Sequence, residues 1–268
     1  MNLVEFFGLV VKPRIVKGKG LLCPLKTGQI SESLYVIRDK DVNVFLIKSP
    51  SGYIAIDCGY KESKNVSIGL KELNVLPSKI HTVLLTHLDL DHAGGVDKRC
   101  SQIFPNAKVY LSKEEEKYLT KEYFRKKVLG IGVASPIQLN NDYTIFKKDD
   151  ILCIDGLEIK TIFSPGHTLG HTSFIIDKNM FVGDALVLGD DGGYCFFDFW
   201  NTDTKANIKS LRILYKIAKA ENVERIITSH TGYSEDIDWS FLHYKTTVNW
   251  RKKGFVFRKD APYNVYEN

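Results

Sequence analysis

The chain has 268 residues, of which 44% are hydrophobic and 12% aromatic, so it can bury a sizeable core, and we predict a single domain over residues 1–268. Its formal net charge of +5 suits an anionic substrate but does not by itself indicate a nucleic-acid partner. Its 5 cysteines include no Cys-x-x-Cys pair, which favours a reducing compartment, and we expect a cytoplasmic protein.

The first residues, Met1 to Val11, are apolar, but Glu5 interrupts them and the basic residues Lys12 and Arg14 come after them. A secretory signal has the opposite order, and the apolar run is too short to span a bilayer. We expect this segment to pack on the core as a strand or helix, with an interfacial membrane anchor as the alternative.

Apolar periodicity and turn residues predict the remaining elements. In chain order they are strands at 34–38, 43–48 and 53–57, a helix to about Leu73, a strand from about His81 to Thr86, a short helix after Gly94-Gly95, a strand at 108–111, a charged helix at 113–127, strands at 157–163, 172–176 and 180–182, a helix at about 205–220, and a strand at 225–228. Strands followed by helices, with polar loops after the strand ends, predict an α/β layered fold with its site at one sheet edge.

The segment His87-Leu88-Asp89-Leu90-Asp91-His92 places two imidazoles and two carboxylates directly after the apolar run 83–85. Leaving so many ionisable groups at the end of a buried strand is costly unless a cation is coordinated, so the segment predicts a metal site. The alternative is a polar helix start with aspartate caps. Gly94-Gly95 would let the backbone turn tightly before the next helix.

Three more predicted strands end in residues that can bind metal. His167 lies in the loop Ser164–His171, Asp184 follows Gly183, and His230 follows the strand at 225–228. Each residue alone is weak evidence, because a lone histidine is more often structural. Together they are strong evidence, because each comes from the same kind of strand-to-loop position.

With these segments in this order, the chain resembles the metallo-β-lactamase superfamily of metal-dependent hydrolases, from about Asn43 through His230. It is similar to acyl-homoserine lactonases in size and in its Pro-Gly-His-Thr-x-Gly-His segment. The resemblance implies an α/β, four-layer αβ/βα sandwich with a dinuclear site between the sheets, and an Asp57 that orients the ligand loop. The ligands it implies are His87, Asp89 and His167 for one ion, Asp91, His92 and His230 for the other, and Asp184 as the bridge between them.

Asp89 departs from the family pattern, which usually reads His-x-His-x-Asp-His. If Asp89 ligates, the site carries one more negative charge than a histidine site, and iron or manganese become alternatives to zinc as the two divalent ions. If it does not, the first ion binds weakly and the protein works with one. We expect ligation, because a flexible carboxylate can reach where an imidazole would.

The resemblance implies hydrolysis of a small ester, lactone or thioester. A bound divalent ion lowers the pKa of water from roughly 15.7 toward about 7, so hydroxide is available near neutral pH. Asp91 is a candidate proton acceptor, and Tyr194 could polarise the substrate carbonyl, as a tyrosine does in the lactonases. The aromatic run 194–200 either lines an apolar pocket or packs in the core.

Two other functions stay open: a phosphodiesterase or nuclease that uses the same site, and a non-catalytic ligand sensor. The glyoxalase-II-like thioesterases are disfavoured, because only 38 residues (268 minus 230) follow His230. The basic runs 125–127 and 251–253 are expected to be solvated, and we expect a small-molecule substrate without nucleic-acid or membrane partners, leaving a homodimer open. Three histidines outside the ligand set are expected to be structural, His81, His171 and His243, with a contact to the substrate or to a metal ligand as the alternative for His171.

Overall fold

The computed structural model describes residues 22–128, 131–140 and 142–248. The apolar segment Met1 to Val11 and the basic run 251–253 lie outside the described residues. Two compact units share the chain: among the described residues, the first runs from Lys26 to Lys147, and the second combines residues 22–25 with the chain from Lys148 onward. None of the helices in the described ranges is long and apolar enough to cross a membrane.

The first unit contains nine strands and three α-helices within its described residues. The strands are β1 (Gly28–Gln29), β2 (Leu34–Asp39), β3 (Val42–Ser49), β4 (Gly52–Ile56), β5 (Ile80–Leu84), β6 (Lys108–Ser112), β7 (Lys126–Val128), β8 (Ile131–Val133) and β9 (Thr144–Phe146). The helices are α1 (Lys64–Glu72), α2 (Leu90–Ala93) and α3 (Lys113–Leu119). Seven strands form one sheet in the order β1-β2-β3-β4-β5-β6-β9, and β7 pairs with β8 in a separate hairpin.

The strand directions explain where the polar loops of this unit meet. β1 to β4 pair antiparallel, whereas β4, β5, β6 and β9 pair parallel. Because parallel strands end at the same edge, Asp57 after β4 and His87 shortly after β5 lie at one edge of the sheet. α1 packs on β2, and its Gly69 is required by close approach: a Cβ there would meet the side chain of Ile37.

The charged helix predicted at 113–127 is shorter than expected. Ser112 caps its start by accepting a hydrogen bond from the Glu115 backbone N–H, but the helix ends at Leu119. Lys121 has a φ of +62°, a left-handed conformation that stops helix propagation. The prediction was wrong because the run of charged residues continues to 127 and gives no glycine or proline stop signal.

The second unit contains the remaining described elements. Its strands are β10 (Ile151–Ile154), β11 (Leu157–Phe163), β12 (Thr172–Ile176), β13 (Asn179–Phe181), β14 (Leu186–Leu188), β15 (Gly193–Cys195), β16 (Arg225–Thr228), β17 (Gly232–Ser234) and β18 (His243–Thr247), and its helices are α4 (Thr204–Ala220) and α5 (Ile237–Ser240). Six strands form a sheet in the order β10-β11-β12-β13-β16-β17, and β14, β15 and β18 form a three-stranded sheet.

In this second unit, β11, β13 and β16 run in one direction. β11 and β13 both pair antiparallel with β12, and β13 pairs parallel with β16. The loops that follow these three strands carry His167, Asp184 and His230, so the topology delivers all three side chains to one edge of the sheet. α4 buries Leu211, Leu214 and other residues at helical spacing against this unit's core.

Candidate metal centre

Asp57 organises the polar edge of the first unit. It follows β4 with a φ of +58°, an unusual backbone for a non-glycine residue. Its buried carboxylate accepts hydrogen bonds from the backbone N–H of Thr86 at 2.8 Å and from Nδ1 of His92 at 2.7 Å. With Nδ1–H donated to a carboxylate, His92 carries its lone pair on Nε2, the arrangement found in carboxylate–histidine–metal sites.

Thr86 extends this orienting effect to the second imidazole of the motif. Its hydroxyl lies 2.8 Å from Oδ2 of Asp57 and 2.9 Å from Nδ1 of His87. A hydroxyl has one proton to donate, and a carboxylate can only accept, so Thr86 donates to Asp57 and accepts from His87. In their neutral form, both motif histidines therefore carry the lone pair on Nε2. Sequence reasoning missed Thr86, because a threonine before the motif carries no signal of its own.

The motif loop brings its four predicted ligands together. The rings of His87 and His92 lie 4.0 Å apart between centroids. Nε2 of His87 is 3.6 Å from Oδ2 of Asp89, and Nε2 of His92 is 3.7 Å from Oδ2 of Asp91. The alternative of a capped helix start is partly right: Asp89 is the N-cap residue of α2, but its side chain makes no capping hydrogen bond.

Arg125 binds the carboxylate of Asp89. Nε of Arg125 donates to Oδ1 at 2.7 Å and a terminal NH2 donates to Oδ2 at 2.6 Å, which is a two-point fork. The Arg125 side chain is only 14% exposed, so the prediction that the run 125–127 is solvated was wrong for this residue. Burial alone would lower the pKa of Arg125, but the charge and hydrogen bonds of Asp89 raise it, so the guanidinium stays charged.

Two further contacts hold the backbone of the same loop. Glu115, fully buried in α3, accepts a hydrogen bond from the Leu88 backbone N–H at 2.8 Å. The hydroxyl of Ser135 donates to the Leu88 carbonyl at 3.1 Å. The glycines after the motif serve close packing, since a Cβ on Gly94 would overlap the backbone of Lys61. The φ of Gly94 is −62°, so the predicted tight turn is not what requires glycine there.

In the second unit, Asp184 faces two imidazoles. Its Oδ2 lies 3.3 Å from Nε2 of His167 and its Oδ1 lies 3.2 Å from Nε2 of His230. All three side chains are buried. A carboxylate that presents one oxygen to each of two imidazole nitrogens has the form expected of a bridging ligand, and this donor chemistry fits divalent cations.

His171 holds the backbone beside this cluster. Its Nδ1 lies 2.9 Å from the Ser164 hydroxyl, and its Nε2 accepts a hydrogen bond from the Asp184 backbone N–H at 3.2 Å. Both ring nitrogens are thereby engaged. The contact with Ser164 is the expected hydrogen bond within the loop, and the contact with Asp184 also places His171 against the backbone of a predicted ligand. His81 and His243 also contact backbone carbonyls through Nε2, those of Ser51 and Asp191 respectively.

The N-terminal end of α4 fixes the loop that carries His167. Thr202, which precedes the helix, donates its backbone N–H to the carbonyls of Gly166 and His167 at 2.9 Å each. Gly166 has a φ of +150°, and a Cβ there would overlap the backbone of Asn207. Gly166 is therefore required on both conformational and packing grounds.

The aromatic run divides between the two predicted roles. Phe196 and Phe197 are core residues, and the Phe196 ring packs edge-on against His167 at 4.8 Å between centroids. Phe199 and Trp200 are half-buried and lie 4.3 Å apart. Tyr194 donates its hydroxyl to Asp191 at 2.8 Å, and burial, followed by this carboxylate, raises its pKa to about 12. Its catalytic role stays a prediction.

Sequence comparisons identify several named relatives. A probable metallo-hydrolase of Methanocaldococcus jannaschii is 31% identical over 180 residues, which cover 67% of this chain and 71% of that protein. The N-acyl homoserine lactonase AttM of Azorhizobium caulinodans is 28% identical, over 70% of this chain and 81% of its own length. A hydroxyacylglutathione hydrolase of Buchnera aphidicola is 29% identical over 65% of this chain, which spans only 59% of that protein.

Solved structures share the fold at lower identity. A β-lactamase from Chitinophaga pinensis is 22% identical with a TM-score of 0.57, covering 78% of this chain and 79% of its own. A B3 metallo-β-lactamase described as the first with an active-site glutamic acid is 20% identical with a TM-score of 0.58, covering 81% and 85%. These likenesses show the metallo-β-lactamase fold. Because the metallo-beta-lactamase superfamily also matches residues 37–230, well over half of the sequence, the chain belongs to this superfamily.

Proposed function

We propose that this protein is a metal-dependent hydrolase of a small ester, lactone or thioester. Seven side chains would hold two divalent ions, for which zinc is the leading candidate. His87, Asp89 and His167 would hold one ion, Asp91, His92 and His230 the other, and Asp184 would bridge them. The observation that carries the proposal is the placement of Asp184, whose two oxygens each face a different imidazole at 3.2–3.3 Å. The preset Nε2 lone pairs of His87 and His92 support it.

Bound there, divalent ions would supply a water with a pKa lowered toward about 7 and an electrophilic contact for the substrate carbonyl. The residues of the chain would orient the ligands and accept the proton. Asp57 and Thr86 hold Nδ1 of both motif imidazoles, so the neutral rings direct their Nε2 lone pairs toward a cation. Asp91 is the proposed proton acceptor, and its carboxylate is buried beside His92.

The substrate class rests on the named relatives, which include a lactonase and hydroxyacylglutathione hydrolases. The half-buried Phe199–Trp200 pair is the proposed contact for an acyl group. Tyr194 is the proposed donor to the carbonyl, and its hydroxyl would have to exchange its present hydrogen bond to Asp191 for one to the substrate.

The test combines metal analysis with a substrate screen. Protein expressed without added zinc should carry at least about one ion per chain and hydrolyse at least one lactone or thioester. Fewer than about one ion, with no hydrolysis of any ester, would contradict the proposal. Activity on phosphodiesters but not on esters would instead support the phosphodiesterase alternative and overturn the ester assignment.

A pair of matched variants ties the activity to the cluster. Asp184→Asn keeps the size of the side chain but removes its charge, and kcat/KM should fall by more than about 100-fold, beyond the range typical of an indirect metal contact. Asp238→Asn is the control, because Asp238 is an exposed carboxylate of the same unit that pairs with Lys219. It should keep kcat/KM within about twofold of the unmodified protein.

A further inference from the structure

The carboxylate of Asp89 contacts a guanidinium and also lies beside a proposed metal ligand. Both of its oxygens lie within 2.7 Å of the Arg125 guanidinium, while Oδ2 also lies 3.6 Å from Nε2 of His87. A cation bound through Asp89 would therefore have to share the carboxylate with a positive charge already held by two short hydrogen bonds. Arginine does not release its proton at physiological pH, so this charge is permanent.

The backbone of Arg125 is held at the start of the β7–β8 hairpin. The Arg125 backbone N–H donates to the carbonyl of Val133 at 3.0 Å, and this closes the base of the β7–β8 hairpin. Ser135, just beyond the same hairpin, donates to the Leu88 carbonyl. The segment from Arg125 to Ser135 therefore contacts the motif loop at both ends, once at a side chain and once at the backbone.

The charge of Arg125 should lower the affinity of this position for a cation. A histidine at the position of Asp89 would be neutral, and an aspartate adds one negative charge that favours cations. The guanidinium of Arg125 cancels that charge for any cation approaching the same carboxylate. Two like charges that share one carboxylate in a partly buried site repel strongly enough to change an affinity by about tenfold or more.

We propose that Arg125 competes with the metal ion for Asp89 and so sets the affinity of the first metal position, making it the weaker of the two. This inference rests on the proposed function, because it presumes that Asp89 is a ligand. Arg125 is a positioning residue here. It restrains the carboxylate and lowers its effective charge without touching the substrate.

The test is a zinc titration of chelator-stripped protein against a competing chromophoric chelator. Arg125→Gln removes the charge, so the dissociation constant of the weaker-bound zinc should fall by about tenfold or more, while that of the tighter zinc changes by less than about threefold. A gain of affinity is informative, because a variant that merely damages the fold would bind zinc less well. An unchanged or raised dissociation constant for the weaker zinc would overturn the inference.

Two controls separate charge from geometry. Arg125→Lys keeps the charge and should stay within about threefold of the unmodified protein. Arg99→Gln breaks a similar two-point pair, that of Arg99 with Asp97 in the same unit, and should leave both zinc affinities unchanged. A tenfold gain in Arg99→Gln as well would mean that any lost cation has this effect, and would overturn the inference.

A double-mutant cycle tests whether the effect passes through Asp89. In an Asp89→Asn background, Arg125→Gln should raise the affinity by less than in the unmodified protein, because the competition for the carboxylate is gone and only the direct repulsion between the guanidinium and the cation remains. Equal gains in both backgrounds would overturn the competition. If the unmodified protein binds no zinc and hydrolyses no ester, the proposed function itself fails. If it binds two zinc ions and Arg125→Gln changes neither affinity, only this inference fails.

Discussion

The two units supply metal-binding side chains in different ways. In the first unit, four candidate ligands come from six consecutive residues, and one buried carboxylate, Asp57, orients both imidazoles directly or through Thr86. In the second unit, three candidate ligands come from three separate loops, and different contacts support them. Thr202 before α4 holds the backbone at His167, His171 holds the backbone of Asp184, and the carbonyl of His230 accepts a hydrogen bond from the Cys23 backbone N–H.

This difference has a consequence for robustness. The cluster in the first unit is sensitive to Asp57, which we call the hub, because both imidazoles lose their preferred tautomer when this carboxylate is replaced. A cluster supported loop by loop should lose one contact at a time. The first unit should therefore respond to single substitutions mainly through metal affinity, and the second mainly through stability.

The largest expected effect is at the hub. Asp57→Asn removes the charge that fixes Nδ1–H of His92 and the Thr86 hydroxyl, so zinc affinity should fall by about 10- to 100-fold. Zinc titration of stripped protein measures it. Asp41→Asn is the control, since Asp41 is a carboxylate of the same unit that accepts a hydrogen bond from the Tyr60 hydroxyl. Equal losses in the two variants would show that Asp57 has no special orienting role.

The next effect tests the loop-by-loop support of the second unit. His171→Ala leaves the buried Asp184 backbone N–H without its imidazole partner and removes one contact of the Ser164 hydroxyl, which keeps Ser173, so the free energy of unfolding should fall by about 1–3 kcal/mol. Denaturant unfolding of the stripped protein measures it. A zinc affinity that falls more than in Asp57→Asn, with unchanged stability, would contradict the contrast between the units.

The candidate site was partly predictable, for reasons that particular residues make clear. The spacing of His87 to His92 is visible in the sequence because its donors are consecutive. Arg125 was not predictable, because it lies 36 residues from Asp89 and stands in a run of basic residues typical of a solvated surface. Thr86 acquires its role only from the backbone conformation of Asp57, which no residue pattern encodes.

The secondary structure was also predictable only in part. The longer elements β2, β3, β11 and α4 were confirmed, because each shows several residues of periodic or continuous apolar character. Strands of three residues, such as β9, β14 and β17, were missed because they are too short to show a period. The end of α3 was also missed, since Lys121 adopts a left-handed conformation without a glycine signal.

A smaller effect is expected at Thr86, which tests only the contact from Asp57 to His87. Thr86→Val keeps the shape of the side chain but removes the hydroxyl that links Asp57 to His87, so zinc affinity should fall by up to about tenfold, less than for Asp57→Asn. Thr86→Ser restores a hydroxyl and should recover most of that loss. Because both substitutions act on one network, the double variant Asp57→Asn/Thr86→Val should lose less than the sum of the two.

The smallest expected effect concerns Tyr194 in the second unit and appears only in alkali. Its pKa is raised to about 12 by burial first and then by Asp191, whereas the unfolded chain has a phenol pKa near 10. Between pH 10 and 12 the unfolded chain therefore loses this proton while the folded protein keeps it, so stability falls as pH rises through this window. Tyr194→Phe should lose less stability between pH 8 and about 11 than the unmodified protein, as measured by denaturant midpoints.

Asp191→Asn should lower the pKa of Tyr194 only part of the way, because burial is the larger cause, and ultraviolet difference titration would detect this change. A full return to the unfolded value would show that the carboxylate dominates. A tyrosine that stays protonated to such a pH could serve as a carbonyl donor without adding a break to the pH–rate profile in the neutral range.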